Sequence, residues 1–354
     1  MSREIVTLTS LRGLAALAVV LQHFSATAQL HAAASIPSLV PHGYLAVDLF
    51  FMLSGYIMCH SYLRQFQQRG LQAYGPFLLR RAIRLLPLNV FVVGLLLLMG
   101  LASTRLLGEN IVYPAIDGLG DLLVNLFMVQ GWGLGRNMNG PAWSVSAEFS
   151  AYILFPLLAG LAFNRRRWVR KGLLLVAGLG VWAVAARSPQ YSLTAEDAVF
   201  GGLRCLAEFS VGMLAFRWQQ SHTDQAARLQ PDGVCIAVVL LFAALLPLRV
   251  DLLVCLMMPL LILALSENRG RVLHFMSRPA VYQLGLVSYS LYLMHNPFRP
   301  LALKLVQTWH PAPLSTPAAL LFALLASLAI VPLAWLTYRG VELRCRRYLL
   351  RRWT

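Results

Sequence analysis

The sequence predicts an all-α fold, a polytopic bundle of about ten membrane-spanning helices with both termini in the cytoplasm. Three observations predict it. Hydrophobic residues make up 58% of the 354 positions, charged residues only 12%, and the mean hydropathy is +0.64. Apolar stretches of about 20 residues recur along the chain, each enough to cross a hydrocarbon core roughly 30 Å thick. The 30 basic residues also gather on alternate connections, as expected when cytoplasmic loops hold a topology in place.

The expected spans are 8–28, 43–63, 81–102, 141–163, 172–187, 198–217, 233–248, 251–267, 281–300 and 317–339. The apolar piece Asp121–Gln130 is too short to cross and reads as re-entrant or interfacial. With the N-terminus inside, one face receives Arg3, the loop Arg64–Arg84, the run "NRRRWVRK" at 164–171, Arg217, Arg228, Arg269, Arg271, Arg278 and the tail "RGVELRCRRYLLRRW", 22 basic residues in all. The other face receives Arg105, Arg136, Arg187, Arg249, Arg299 and Lys304, which is six. The expected organisation is one transmembrane domain over 1–340 and a basic cytoplasmic tail over 341–354. The segment 103–140 is the longest external one, and a connection that long is often functional.

The net charge of +16 would point to nucleic acid on a soluble protein. Here it is absorbed by topology, and no nucleic-acid partner is expected. The partner at this level is the lipid bilayer. Cys59, Cys205, Cys235, Cys255 and Cys345 form no CxxC pair, and the first four lie in or beside apolar segments. They read as packing residues, with no metal site expected. Ala26-Thr27-Ala28 is a passable cleavage site, but a signal's apolar region does not usually hold a Gln22-His23 pair, so the first helix is expected to stay as a span.

Ionisable residues inside spans are costly and usually functional. Those expected within the membrane are Arg12, His23, Asp48, Glu148, Arg204, Glu208 and His295. Arg12 and His23 are eleven residues apart, almost three turns, and so share a helix face about 16 Å apart along the axis. Asp48, Glu148 and His295 fall at a depth similar to His23. Ser144 precedes Glu148 by four residues on the same face. Ser288, Tyr292 and His295 make one polar stripe on an apolar helix. Ser54-Gly55 near mid-membrane gives either close helix packing or room for a substrate. Glu148 could instead pair with Arg204. Arg80, Arg81 and Arg84 lie at the cytoplasmic boundary, where they serve either as topology anchors or as a phosphate-binding group. The spacing of His42 and Asp48 does not fit the H-x4-D pattern of soluble glycerolipid acyltransferases. There is no G-x-S-x-G elbow, Walker loop, H-E-x-x-H or dinucleotide fingerprint.

Arg12 with ten residues before His23, "DLFFMLSGYIM" at 48–58, "RRAIRLLP" at 80–87, "WSVSAEF" at 143–149 and "SYSLYLMH" at 288–295 occur in one order over most of the chain. In this the sequence resembles the integral-membrane acyltransferase-3 family, O-acyltransferases of cell-surface polysaccharides and related acceptors. The resemblance implies about ten spans, an acyl-CoA donor taken from the cytoplasm, most simply acetyl-CoA, and a carbohydrate or glycolipid hydroxyl as acceptor. It also implies an integral protein of the bacterial inner membrane.

On that footing His23 is expected as general base, or as a nucleophile forming an acyl-histidine, with Glu148 orienting its imidazole. Arg80, Arg81 and Arg84 are expected on the donor phosphates, with Arg12 guiding the arm. Asp48, Ser54, Trp143, Ser144, Tyr292 and His295 are expected on the acceptor side. The rival class is a transporter of a small polar solute or glycolipid, since carriers also place polar residues near the midplane.

Overall fold

The computed structural model describes residues 4–38, 40, 42–113, 116, 118–188, 192–193, 198–248 and 250–353. Arg3 and Arg249, counted above with the two faces, lie outside these residues, as do Pro114, Ala115 and Asp117 of the long connection and the terminal Thr354. The described chain is helical throughout: α1 (Val6–Gln29), α2 (Ala46–Arg69), α3 (Tyr74–Leu107), α4 (Leu119–Leu126), α5 (Ala142–Ile153), α6 (Phe155–Ala162), α7 (Arg167–Ala185), α8 (Ala198–Ser221), α9 (Thr223–Ala227), α10 (Asp232–Leu245), α11 (Asp251–Ser266), α12 (Arg271–Met276), α13 (Pro279–Leu286), α14 (Ser288–Trp309), α15 (Thr316–Thr337) and α16 (Leu343–Trp353). Among the described residues the one extended feature is a single parallel bridge between Ala32 and Leu314.

Among the described residues five helical segments are long and apolar enough to cross a membrane, one of them the 65-residue run Gly43–Leu107 that holds both α2 and α3, or six if one bent pair counts as a single span. Ten crossings were expected. The difference has local causes. Span 141–163 is two helices, α5 and α6, bent by 65°. Pro156 at the start of α6 removes a backbone donor, and its ring clashes with the carbonyl one turn earlier. α10 and α11 hold 14 and 16 residues, which at 1.5 Å per residue is short of the core thickness. Span 281–300 is interrupted at Val287, between α13 and α14. The short piece expected to be re-entrant or interfacial holds α4, eight residues long.

The chain forms two compact units. The first comprises Met1–Ala15, Tyr44–Arg81 and Ala147–Leu286, and the second Ala16–Gly43, Ala82–Ser146 and Val287–Thr354. In the first unit α2 and α8 touch backbone to backbone. A Cβ on Gly55 would overlap the Phe209 carbonyl, and one on Gly212 would overlap the Met52 carbonyl. Small residues permit such contact where lipid supplies no hydrophobic drive between helices. Gly55 therefore takes the packing alternative. The start of α1 is fixed by hydroxyls, Thr7 donating to the Leu265 carbonyl and Ser10 to the Met276 carbonyl, both at 2.6 Å.

In the second unit the long connection is organised around buried Asn125 of α4. Its amide donates to the carbonyls of Asp121 and Arg136 at 2.8 and 2.7 Å, and its oxygen accepts the Met138 amide at 2.9 Å. Asn89 of α3 donates to the Asn125 carbonyl at 2.7 Å. These bonds satisfy backbone groups that have no regular partner. They carry the chain to Asn139, whose amide reaches the Leu293 carbonyl of α14 at 3.2 Å.

Candidate active site

The chemistry-bearing residues form separate clusters within each unit. In the second unit, His23 of α1 and His295 of α14 meet ring to ring, His23 Nδ1 lying 2.7 Å from His295 Nε2. Their ring centroids are 4.9 Å apart. His295 is fully buried, and His23 keeps partial exposure. The contact occupies one nitrogen of His23 and leaves Nε2 for another partner. Below the pair, the Thr27 hydroxyl donates to the His23 carbonyl at 2.9 Å and accepts Arg299 Nε at 2.9 Å. A second Arg299 nitrogen reaches the Asn296 side-chain oxygen at 3.2 Å. Arg299 is thereby held beside both imidazoles.

Tyr292 stands one turn before His295, with ring centroids 5.9 Å apart. Ser144 donates to the Pro141 carbonyl at 2.9 Å, and the Tyr292 hydroxyl lies 2.8 Å from Ser144 Oγ and 3.2 Å from the same carbonyl, its one proton shared between them. Trp143 is buried beside Ser144 at the start of α5. Asn139 anchors the preceding residues to the backbone of α14 two positions from His295.

In the first unit, Glu148 accepts the Tyr152 hydroxyl at 2.5 Å, and Tyr152 also bonds Ser54 Oγ at 3.0 Å. Arg81 lies over the rings of Tyr62 and Tyr152, at 5.1 and 5.8 Å, and donates to the Tyr62 hydroxyl at 2.9 Å. Arg12 interacts electrostatically with Glu148, Glu4, Tyr152 and Arg81. The Nε atoms of Arg12 and Arg81 are buried without a hydrogen-bond partner among the described residues. Buried donors left unpaired are costly, so both fit a site completed by an anionic ligand. Arg80 makes no ion pair among the described residues.

Several expected placements differ. Glu148 was expected to orient the His23 imidazole. The hydrogen-bond partner of His23 is instead His295, and Glu148 is taken by Tyr152. Asp48 was expected on the acceptor. Both its oxygens instead receive Arg204, Nε to Oδ1 at 2.6 Å and Nη2 to Oδ2 at 2.5 Å, and it is fully buried. A carboxylate so engaged has its best acceptor directions filled. Arg204 accordingly does not pair with Glu148. Its third donor goes to the Leu193 carbonyl at 2.6 Å, and Glu208 lies 3.7 Å away. Arg84 was expected on donor phosphate but forms an ion pair with buried Glu342, in the turn of π-helix Tyr338–Glu342, where Ser290 also donates at 2.9 Å. Ser54 bonds Tyr152.

Four positioning residues went unread. Tyr152 lies one helical turn after Glu148, a spacing that could have flagged it. Glu342 was legible as the one acid in a tail otherwise full of arginines. Asn139 and Arg299 carried no periodic signal.

The sequence profile described as "Acyltransferase domain", of the acyltransferase-3 family, matches residues 5–339. The acyltransferase MdmB of Streptomyces mycarofaciens is 28% identical over 313 residues, covering 82% of this chain and 77% of that protein. A Staphylococcus aureus (strain COL) protein named "Putative O-acetyltransferase" is 26% identical over 231 residues, covering 61% of this chain and 35% of its own. Nodulation protein 10 of Rhizobium leguminosarum bv. viciae is 27% identical over 190 residues, 48% of this chain and 47% of that one. The chain thus spans about a third to a half of the length of the last two. No solved structure matches it. With its apolar helices and this match over nearly its whole length, the chain is an integral membrane protein of the acyltransferase-3 family and an enzyme that transfers acyl groups.

Proposed function

We propose that the chain moves an acyl group, most simply acetyl, from acyl-CoA to a hydroxyl of a carbohydrate or glycolipid, with His23 as general base. The observation that carries this reading is the 2.7 Å contact between His23 Nδ1 and His295 Nε2. One proton lies between these nitrogens. With it on His23 Nδ1, the lone pair of His23 Nε2 is free, and the buried His295 holds the ring at one angle. An imidazole so oriented accepts the proton of the acceptor hydroxyl as its oxygen attacks the thioester carbonyl. The C–S bond then breaks, and the imidazolium returns the proton to the departing thiolate. Trp143, Ser144 and Tyr292, in the same unit, hold the acceptor.

The donor is read from the arginines. Arg12 and Arg81 keep unpaired buried donors, and with Arg80 they bind the phosphates and arm of acyl-CoA. Arg84 contributes least, because its charge is already matched by Glu342. Arg12 and His23 share a face of α1 about 16 Å apart, a separation suited to a ligand with phosphates at one end and a thioester at the other. Glu148 serves as counter-charge to Arg12. Donor entry is from the cytoplasm, and the membrane is the bacterial inner membrane.

The test uses purified protein in nanodiscs, acetyl-CoA, and readouts of free thiol and of radiolabel on protein. Wild type is expected to release thiol without retaining label, and His23→Ala to bind acetyl-CoA yet release thiol about 10²–10⁴-fold more slowly; label held by wild type and lost in His23→Ala would make His23 a nucleophile instead. Acetyl-CoA that neither binds nor reacts with folded wild type would sink the donor assignment. Solute uptake without thiol release would point to transport instead.

A further inference from the structure

The run of cations at the start of α7 has no place in this chemistry. Arg167, Arg170 and Lys171 open α7, and Arg217 and His222 lie at the end of α8. Both groups line one cavity of about 910 Å³, contained within the first unit. Apart from Ser221 the rest of its wall is apolar, with Leu174, Gly178 and Val181 from α7, Leu214 from α8, and Leu256 and Leu263 from α11. From Arg170 to Trp182, which also lines it, is twelve residues of helix, about 18 Å. That is a little more than half of a hydrocarbon core roughly 30 Å thick, or one leaflet.

The cations are uncompensated. Among the described residues none of Arg167, Arg170, Lys171 and Arg217 has a carboxylate partner. Arg170 donates only to the carbonyls of Asn164 and Arg165, at 2.6 and 3.0 Å, and the Arg217 guanidinium lies 5.5 Å from the Phe163 ring. Arg170 and Arg217 moreover repel each other. Like charges gathered at one mouth without an acid are stabilised by an anion. A neutral lipid leaves that charge unmatched. A free phosphate leaves the apolar slot behind it unfilled, and the arm of an acyl-CoA would lay its amide groups against a wall that offers them almost no hydrogen-bond partner.

We propose that this cavity binds an anionic phospholipid, its phosphate held by Arg167, Arg170, Lys171 and Arg217 and an acyl chain lying along α7 between α8 and α11. Charge complementarity and a slot one leaflet deep select this occupant. Gly178 gives the means of closing the slot, because a Cβ there meets nothing within 4 Å, so a larger side chain enters the cavity without moving its wall.

The experiment takes full-length protein in mild detergent, adds phosphatidylglycerol or phosphatidylcholine of matched chains, and counts retained lipid by native mass spectrometry. Helical content by circular dichroism is recorded for each variant. Wild type is expected to retain phosphatidylglycerol in preference to phosphatidylcholine. Arg170→Gln and Arg217→Gln are each expected to weaken retention about fivefold, and Gly178→Phe to abolish it with helical content unchanged. Should Gly178→Phe fail to fold, the two arginine variants carry the test. Equal retention of both lipids overturns the proposal, as does a folded Gly178→Phe that binds like wild type. Displacement of phosphatidylglycerol by inorganic phosphate or acetyl-CoA also overturns it, because the mouth is then a site for soluble phosphates.

Discussion

Arg204 illustrates what a single buried charge does in this protein. It is 2% exposed, and its guanidinium satisfies both oxygens of Asp48 while lying 3.7 Å from Glu208. Removing it strands two carboxylates in a medium that cannot hydrate them. Arg204→Met is therefore expected to cost about 3–5 kcal/mol, read as a fall in the detergent unfolding midpoint. A variant as stable as wild type would show that the cluster is dispensable. His295 is the contrasting case, a residue acting through its neighbour. His295→Ala frees His23 Nδ1 and lets the ring turn. It is expected to lower kcat by about 10²-fold or more while KM for acyl-CoA stays near wild type. A matching rise in KM would place His295 on the donor instead. The presence of Arg12, His23, Asp48, Glu148 and His295 inside apolar helices was legible because such residues are expensive in lipid. Their pairing was not. Arg204 chose Asp48 over Glu148 because Gly55 and Gly212 bring α2 and α8 into backbone contact, and that contact is tertiary information absent from any one helix.

At the scale of elements, ends are held by specific polar groups, and one of them titrates. Asp232 opens α10 and accepts the Arg271 and Val272 amides at the start of α12, at 2.5 and 3.0 Å, with Asn268 adding a bond at 3.2 Å. Gly270 leaves room for this carboxylate, since a Cβ there would push against it. The two amides, helped by Asn268 and Arg271, hold the Asp232 carboxyl below its ordinary value of 3.8. A depressed folded value means that the stabilisation is present above the unfolded value and is lost as pH falls through the folded one. Hydrogen exchange at Arg271 and Val272 is thus expected to quicken, beyond its intrinsic pH trend, only below about pH 4. In Asp232→Asn this extra step should vanish. An identical step in both proteins would assign it to another group. Long apolar helices such as α1, α7 and α15 were readable from composition. Breaks were readable where proline marks them, as at Pro156, and unreadable at Val287, where no residue type announces the interruption between α13 and α14.

For the whole molecule the open question is orientation, and the native cysteines supply a probe. Cys59, Cys205, Cys235 and Cys255 are buried, whereas Cys345 on α16 is partly exposed. A membrane-impermeant maleimide therefore reports one position, the basic C-terminal helix. The distribution of arginine predicts a cytoplasmic position for that helix, on the face expected to carry 22 basic residues against six. α16 itself interleaves Arg344, Arg346, Arg347, Arg351 and Arg352 with Leu349, Leu350 and Trp353 and buries none of its residues, a composition suited to the surface of an anionic leaflet. Intact cells expressing the protein should stay unlabelled, and permeabilised cells should take up about one maleimide per chain, lost in Cys345→Ser. Labelling of intact cells would put the tail outside. The arginines of α3 would then face away from the cytoplasmic pool of acyl-CoA, and the donor route along α1 would have to be abandoned even if His23 kept its role.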